Sequence, residues 1–186
     1  MAIQFILASA SPRRLQLLQQ IGIAPDQTIS ADIDETSRMA ELPDKYALRM
    51  AEAKASVIAK KYPDAIVLAA DTVVAAGRRI LPKAEDEATA RKCLKLLSGR
   101  RHRVYTAVCV NKKSRVVMTA VRFNRLDDKT IDRYIASGEW RGKAGGYAIQ
   151  GLAESFIPWI SGSYSNVVGL PLAETAHLLK VSGFAW

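Results

Sequence analysis

The stretch IVLAADTVVAAG at 66–77 constrains this chain more than any other. It is apolar at nearly every position except Asp71 and Thr72. That is too apolar for a strand with one wet face, and it reads as a central strand covered on both sides. Aspartate is almost never fully buried without a partner or a metal. Asp71 therefore has two readings: a bulge or tight turn where its carboxylate caps local amides, or a strand end lining a cleft, as general base or metal ligand.

The segments around this strand alternate. Residues 3–8 (IQFILA) read as a first strand, and a helix follows with Pro12 in its first turn and Gly22 beyond its end. Residues 27–33 are expected to be extended. Pro43 opens a second helix with the stripe Ala47, Met50, Ala51, Ala55 and Ile58, ending by Pro63. A third helix spans about 84–97, with Ala90, Cys93, Leu94 and Leu97 at helical spacing. Residues 103–110 and 115–123 predict a hairpin around NKKS, and Asp127 or Asp128 caps a further helix carrying Ile131, Tyr134 and Ile135. A glycine-rich stretch, GKAGGYAIQG at 142–151, leads into a β-rich segment, and Pro171 starts a final helix. Early alternation with a hairpin in the middle predicts an α/β fold with a mixed sheet and flanking helices.

Several classes of protein are disfavoured. No apolar run approaches the roughly 20 residues needed to cross a bilayer, and the arginines of MAIQFILASASPRR follow its apolar stretch, the wrong order for a secretory signal. A cytoplasmic location is the expectation, with no membrane partner. Two cysteines, Cys93 and Cys109, outside any CxxC pair, and two histidines argue against a zinc site or disulfide framework. Both cysteines read as small core residues. A formal charge of +9, from 27 Lys and Arg against 18 Asp and Glu, favours an anionic partner. No nucleic-acid-binding motif accompanies it, so no nucleic acid partner is expected.

Other residues sit where their chemistry is costly. Lys54 falls on the inward stripe of the second helix, as a snorkelling residue at its margin or as a group turned into a site. SASPRR at 9–14 places Ser9, Ser11, Arg13 and Arg14 at a helix N-terminus, which favours anions. Arginines there oppose the helix dipole, which suits phosphate contact as well as two solvated side chains. Asp32, Asp34 and Glu35 form an acidic cluster suited to a hard cation or to a solvated turn. Lys83 precedes the third helix. The Gln150 amide suits a base edge or an ordinary loop.

Taken in order, LASASPRR, DIDE at 32–35, AEAKA at 51–55, AADTVV at 69–74, Lys83, LSGRRHRVYTAV at 97–108, KAGGYAIQG at 143–151 and GSYSNVVGLPL at 162–172 resemble the Maf family of nucleotide pyrophosphatases along nearly the whole chain. The resemblance implies one domain over 1–186, with two lobes around a cleft like that of the inosine-triphosphate pyrophosphatases. It also implies cleavage between the α- and β-phosphates with a divalent cation, Mg²⁺, Mn²⁺ or Co²⁺. Asp71 matches the proposed proton acceptor and, with Glu35, the metal position. Ser9, Arg14, Lys54 and Lys83 match the phosphate-binding residues. Arg13, Thr72 and Gln150 match the specificity positions of the branch acting on dTTP and UTP, which implies a nucleoside triphosphate as partner. The chain departs from the family's GKP or EKP in reading PKA at 82–84. A homodimer is left open, as are three other functions: action on 7-methyl-GTP, regulation of cell division (the family is linked to inhibition of septum formation), and nucleic-acid binding.

Overall fold

A computed structural model describes residues 3–185; positions 1, 2 and 186 of the expected domain lie outside them. The apolar run forms β3 (Ile66–Ala76), around which a seven-stranded mixed sheet is built. β1 (Phe5–Ala8) lies parallel to β3 and to β2 (Gln27–Thr28). On the other side β5 (Arg101–Val110), β6 (Lys113–Arg122) and β7 (Trp159–Ser161) continue antiparallel, and β4 (Arg79–Ile80) pairs with the far end of β3.

The alternation of side chains along β3 explains the two lobes. Ile66, Leu68 and Ala70 enter a core with Leu17 and Leu18 of α1 (Pro12–Gln20) and Leu178 and Leu179 of α6 (Leu172–Val181). Farther along the same face, Val74 enters a second core with Leu94 and Leu97 of α3 (Glu87–Leu97) and Ile131 and Tyr134 of α4 (Asp128–Ser137). Thr72 falls between them. The opposite face places Val67, Ala69 and Val73 under α2 (Pro43–Lys61) in a third core, and Asp71 interrupts that row. Both polar residues of the strand thus lie where it passes from one lobe to the other.

Several boundaries differ from expectation for local reasons. Helix α3 begins at Glu87 rather than about 84, because the Asp86 carboxylate accepts the Thr89 N–H at 2.7 Å as its N-cap. The preceding segment is instead extended, with Lys83 bridged to Ala144. The hairpin turn needs only Asn111 and Lys112, since Val110 pairs with Lys113 and Asn111 takes a left-handed φ of 52°. Of 27–33, only Gln27–Thr28 is strand. The stretch after 151 is a 3-10 helix (Leu152–Phe156), the three-residue β7 and the short helix α5 (Tyr164–Val168), rather than β-rich throughout. Cys93 and Cys109 are buried and free.

His102 lies in the second core, 1% exposed, edge-on to Phe123 and sharing a 2.8 Å hydrogen bond with the Tyr147 hydroxyl. Burial pushes its pKa down to about 4. The unfolded chain therefore binds the proton first, so stability is full above about pH 6.5 and is lost as pH falls towards 4. Acidification from pH 7 to 4.5 is expected to cost about 2–3 kcal/mol through this residue. Urea unfolding of His102→Gln should show a correspondingly smaller drop between the two pH values. An equal drop in both proteins would contradict this.

Candidate active site

The cleft between the lobes has a volume of about 450 Å³ and is lined by Ser9, Arg13, Arg14, Glu35, Lys54, Asp71, Thr72, Lys83 and Gln150. The nine residues that the resemblance assigns to the site border one cavity, of a size typical for small-molecule sites. Asp32 and Asp34 do not border it; Asp34 instead accepts the Thr36 N–H at 2.9 Å in a local turn. The acidic cluster thus contributes Glu35 alone.

Asp71 stands in mid-strand, paired in register with Ala107, so the tight-turn reading is set aside, and it lines the cleft from the middle of β3 rather than from a strand end. Its side chain faces α2, where Lys54 turns inward with 8% of its surface exposed. Lys54 Nζ donates to Asp71 Oδ1 at 2.7 Å and lies 2.7 Å from Glu35 Oε1. Lys83 Nζ reaches Glu35 Oε2, also at 2.7 Å. Two carboxylates and two ammonium groups therefore form one balanced cluster. Burial works against the charge on Glu35, but hydrogen bonds and charge from Lys54 and Lys83 outweigh it and hold the carboxyl down to about 2. Glu35 sits on a loop tied to α2, since Tyr46 Oη donates to its carbonyl at 2.7 Å and Arg49 Nη2 to that of Thr36 at 3.1 Å.

The Arg14 guanidinium is held on three sides. It donates to Ser9 Oγ at 3.0 Å, to the Gly169 carbonyl at 2.9 Å and to Thr72 Oγ1 at 3.3 Å. Thr106 Oγ1 lies 3.0 Å from Thr72 Oγ1 and donates to the Asn166 carbonyl at 2.9 Å. The chain Arg14–Thr72–Thr106–Asn166 thus crosses the seam between the first two cores and fastens the wall at 167–169. Burial lowers the pKa of Arg14, with the Asp71 charge opposing. Arg13 differs: among the described residues it makes no hydrogen bond or ion pair.

Tyr147 and Gly169 also border the cleft, with Thr106 and Asn166 behind Thr72, and no local pattern in the sequence marks these four. The only signal was their presence in the HRVYTAV, GGYAIQG and SYSNVVG runs. Gln150 is exposed at the cleft, and the chain just after it is tied to Glu139. Glu139 Oε2 accepts the Leu152 N–H at 2.7 Å, and a Cβ on Gly151 would come within 2.1 Å of that oxygen. The PKA departure also has a structural use: Ala84 N–H donates to the Lys143 carbonyl at 3.0 Å, a bond proline could not make.

Among the described residues no cluster of three or more His, Cys, Asp and Glu could hold a metal. Glu35 and Asp71 nevertheless converge on one ammonium nitrogen. Asp71 Oδ2 accepts no hydrogen bond from the described residues. Two carboxylates with room for phosphate oxygens and water suit Mg²⁺ or a similar hard cation.

The family model described as Maf-like protein matches residues 4–182. A dTTP/UTP pyrophosphatase of Zymomonas mobilis is 59% identical, covering 99% of this chain and 94% of the relative. One from Paramagnetospirillum magneticum is 60% identical, covering 97% of both chains. Another from Caulobacter vibrioides is 57% identical, covering 96% of this chain and 95% of the relative.

Proposed function

The chain belongs to the Maf family, and from that membership we propose that it hydrolyses dTTP and UTP to the monophosphate and pyrophosphate. The activity rests on the near-full-length similarity to proteins named for it. The observation that supports its siting is the carboxylate of Asp71, buried at the seam of the lobes and facing the cleft.

In this reading Asp71 orients a water through Oδ2 and accepts its proton as the oxygen attacks the α-phosphorus. Lys54 holds the other carboxylate oxygen and keeps Asp71 aimed. Ser9 and Arg14 receive phosphate oxygens at the start of α1, where the helix dipole favours anions. Lys83 adds positive charge at the rim. Glu35 and Asp71 would hold Mg²⁺, Mn²⁺ or Co²⁺, a cation that neutralises phosphate charge and acidifies bound water. The Gln150 amide complements the N–H and carbonyl of a uracil or thymine edge. Thr72, whose hydroxyl is committed to Arg14 and Thr106, acts on selectivity by fixing Arg14 rather than by touching the base. We place the reaction in the cytoplasm; no helix among the described residues is long and apolar enough to cross a membrane.

Pyrophosphate release from a panel of triphosphates with Mg²⁺ or Mn²⁺ tests this. Turnover of dTTP and UTP well above that of ATP, GTP and 7-methyl-GTP is expected. Preference for 7-methyl-GTP would overturn the assignment of Arg13, Thr72 and Gln150. No turnover of any triphosphate by folded protein would leave a nucleotide-binding regulator.

A further inference from the structure

The cations of the cleft fall into two groups. Lys54 and Lys83 are neutralised by Asp71 and Glu35, and Arg14 is anchored by Ser9, Thr72 and Gly169 through three of its five N–H groups. Two half-buried cations of the lining form no salt bridge among the described residues: Arg13 at the start of α1 and Lys143 on the strap that precedes the glycine pair. The single hydrogen bond of Lys143 Nζ goes to the Arg141 carbonyl of its own strap, at 3.0 Å. Arg141, the remaining cation there, is exposed and stacks on Trp140.

The strap is built into the fold. Gly142 N–H donates to the Ala84 carbonyl at 2.9 Å, Ala84 N–H to that of Lys143 at 3.0 Å, and Gly145 N–H to that of Pro82 at 3.0 Å. Gly145 is left-handed at φ 68°, and a Cβ there would fall 2.8 Å from a Val74 methyl. Burial, and then the charge of Arg13, lower the pKa of Lys143, with the charge of Glu139 opposing. A cation held half-buried near another one, without a carboxylate in direct contact, is unfavourable unless an anion joins them.

We propose that Lys143, together with Arg13, is the binding site for the leaving β- and γ-phosphates. This rests on the pyrophosphatase reading. The terminal pair carries most of the substrate's charge, so it goes to the two uncommitted cations, while the α-phosphorus lies beside Asp71. Lys143 then stabilises the negative charge that passes to pyrophosphate as the α–β bond breaks.

The test is Lys143→Met beside Lys143→Arg. Inhibition by inorganic pyrophosphate, binding of inorganic tripolyphosphate and binding of dTMP are measured on the full chain. Loss of one charge-assisted contact is expected to weaken pyrophosphate and tripolyphosphate by about tenfold or more. The affinity for dTMP should hold within about twofold, and arginine should restore most of the loss. Unchanged pyrophosphate and tripolyphosphate affinities in Lys143→Met overturn the proposal. So does equal weakening of dTMP, which would mark a merely structural strap. Tripolyphosphate binding is read without turnover, so absence of dTTP hydrolysis would defeat the pyrophosphatase reading while this result still decides the role of Lys143.

Discussion

Asp71→Asn is expected to lower kcat for dTTP by about 10²-fold or more, with KM and melting temperature close to those of the parent. Asparagine fills the same space in β3, but its amide cannot take a proton from water. The fold should tolerate the change, because Lys54 keeps the Glu35 carboxylate at 2.7 Å and is not left as a lone buried cation. Steady-state kinetics with thermal unfolding separate the two effects. Near-normal kcat in a folded variant would remove Asp71 from proton transfer.

Lys54→Met makes the converse change and is expected to cost stability as well as activity. Asp71 has 8% of its side chain exposed, and Lys54 is its one ion-pair partner among the described residues. Removing one member of a buried pair strands the other, at about 3–5 kcal/mol. Glu35 suffers less, since Lys83 still binds Oε2 and the side chain is more exposed. Urea unfolding in EDTA, which denies Asp71 a substitute cation, reads the loss. Adding Asp71→Asn to Lys54→Met should recover much of it, because no bare carboxylate is then buried. Equal stability of parent and single variant would mean that the pair carries no structural weight.

How far the sequence carried this site depends on the kind of signal. Asp71 and Lys54 were legible because each is a charged residue at a position whose neighbours demand burial, and the structure joins them directly. The strand itself was legible for the same reason. Lys143 carried no such mark, since a lysine beside glycines reads as a solvated loop. Only the pairing of 142–145 with 82–84 turns it towards the cleft. That pairing also explains why α3 starts later than its sequence suggests: residues 84–86 have helix-compatible side chains, but the backbone of Ala84 is hydrogen-bonded to the strap. The aromatic and β-branched residues after 151 suggested strands, yet glycines and serines break them into a 3-10 helix, a short strand and a short helix. Thr106 and Asn166 were invisible for a different reason. Their value lies in a hydrogen-bond chain between residues as far apart as Arg14 and Asn166, which no local pattern encodes.

The most direct test of the central claim is hydrolysis of dTTP in ¹⁸O-enriched water with Mg²⁺, with both products weighed by mass spectrometry. Attack by a water held at Asp71 on the α-phosphorus predicts one ¹⁸O in dTMP and none in pyrophosphate. Label in pyrophosphate, or products that are dTDP and orthophosphate, would contradict it.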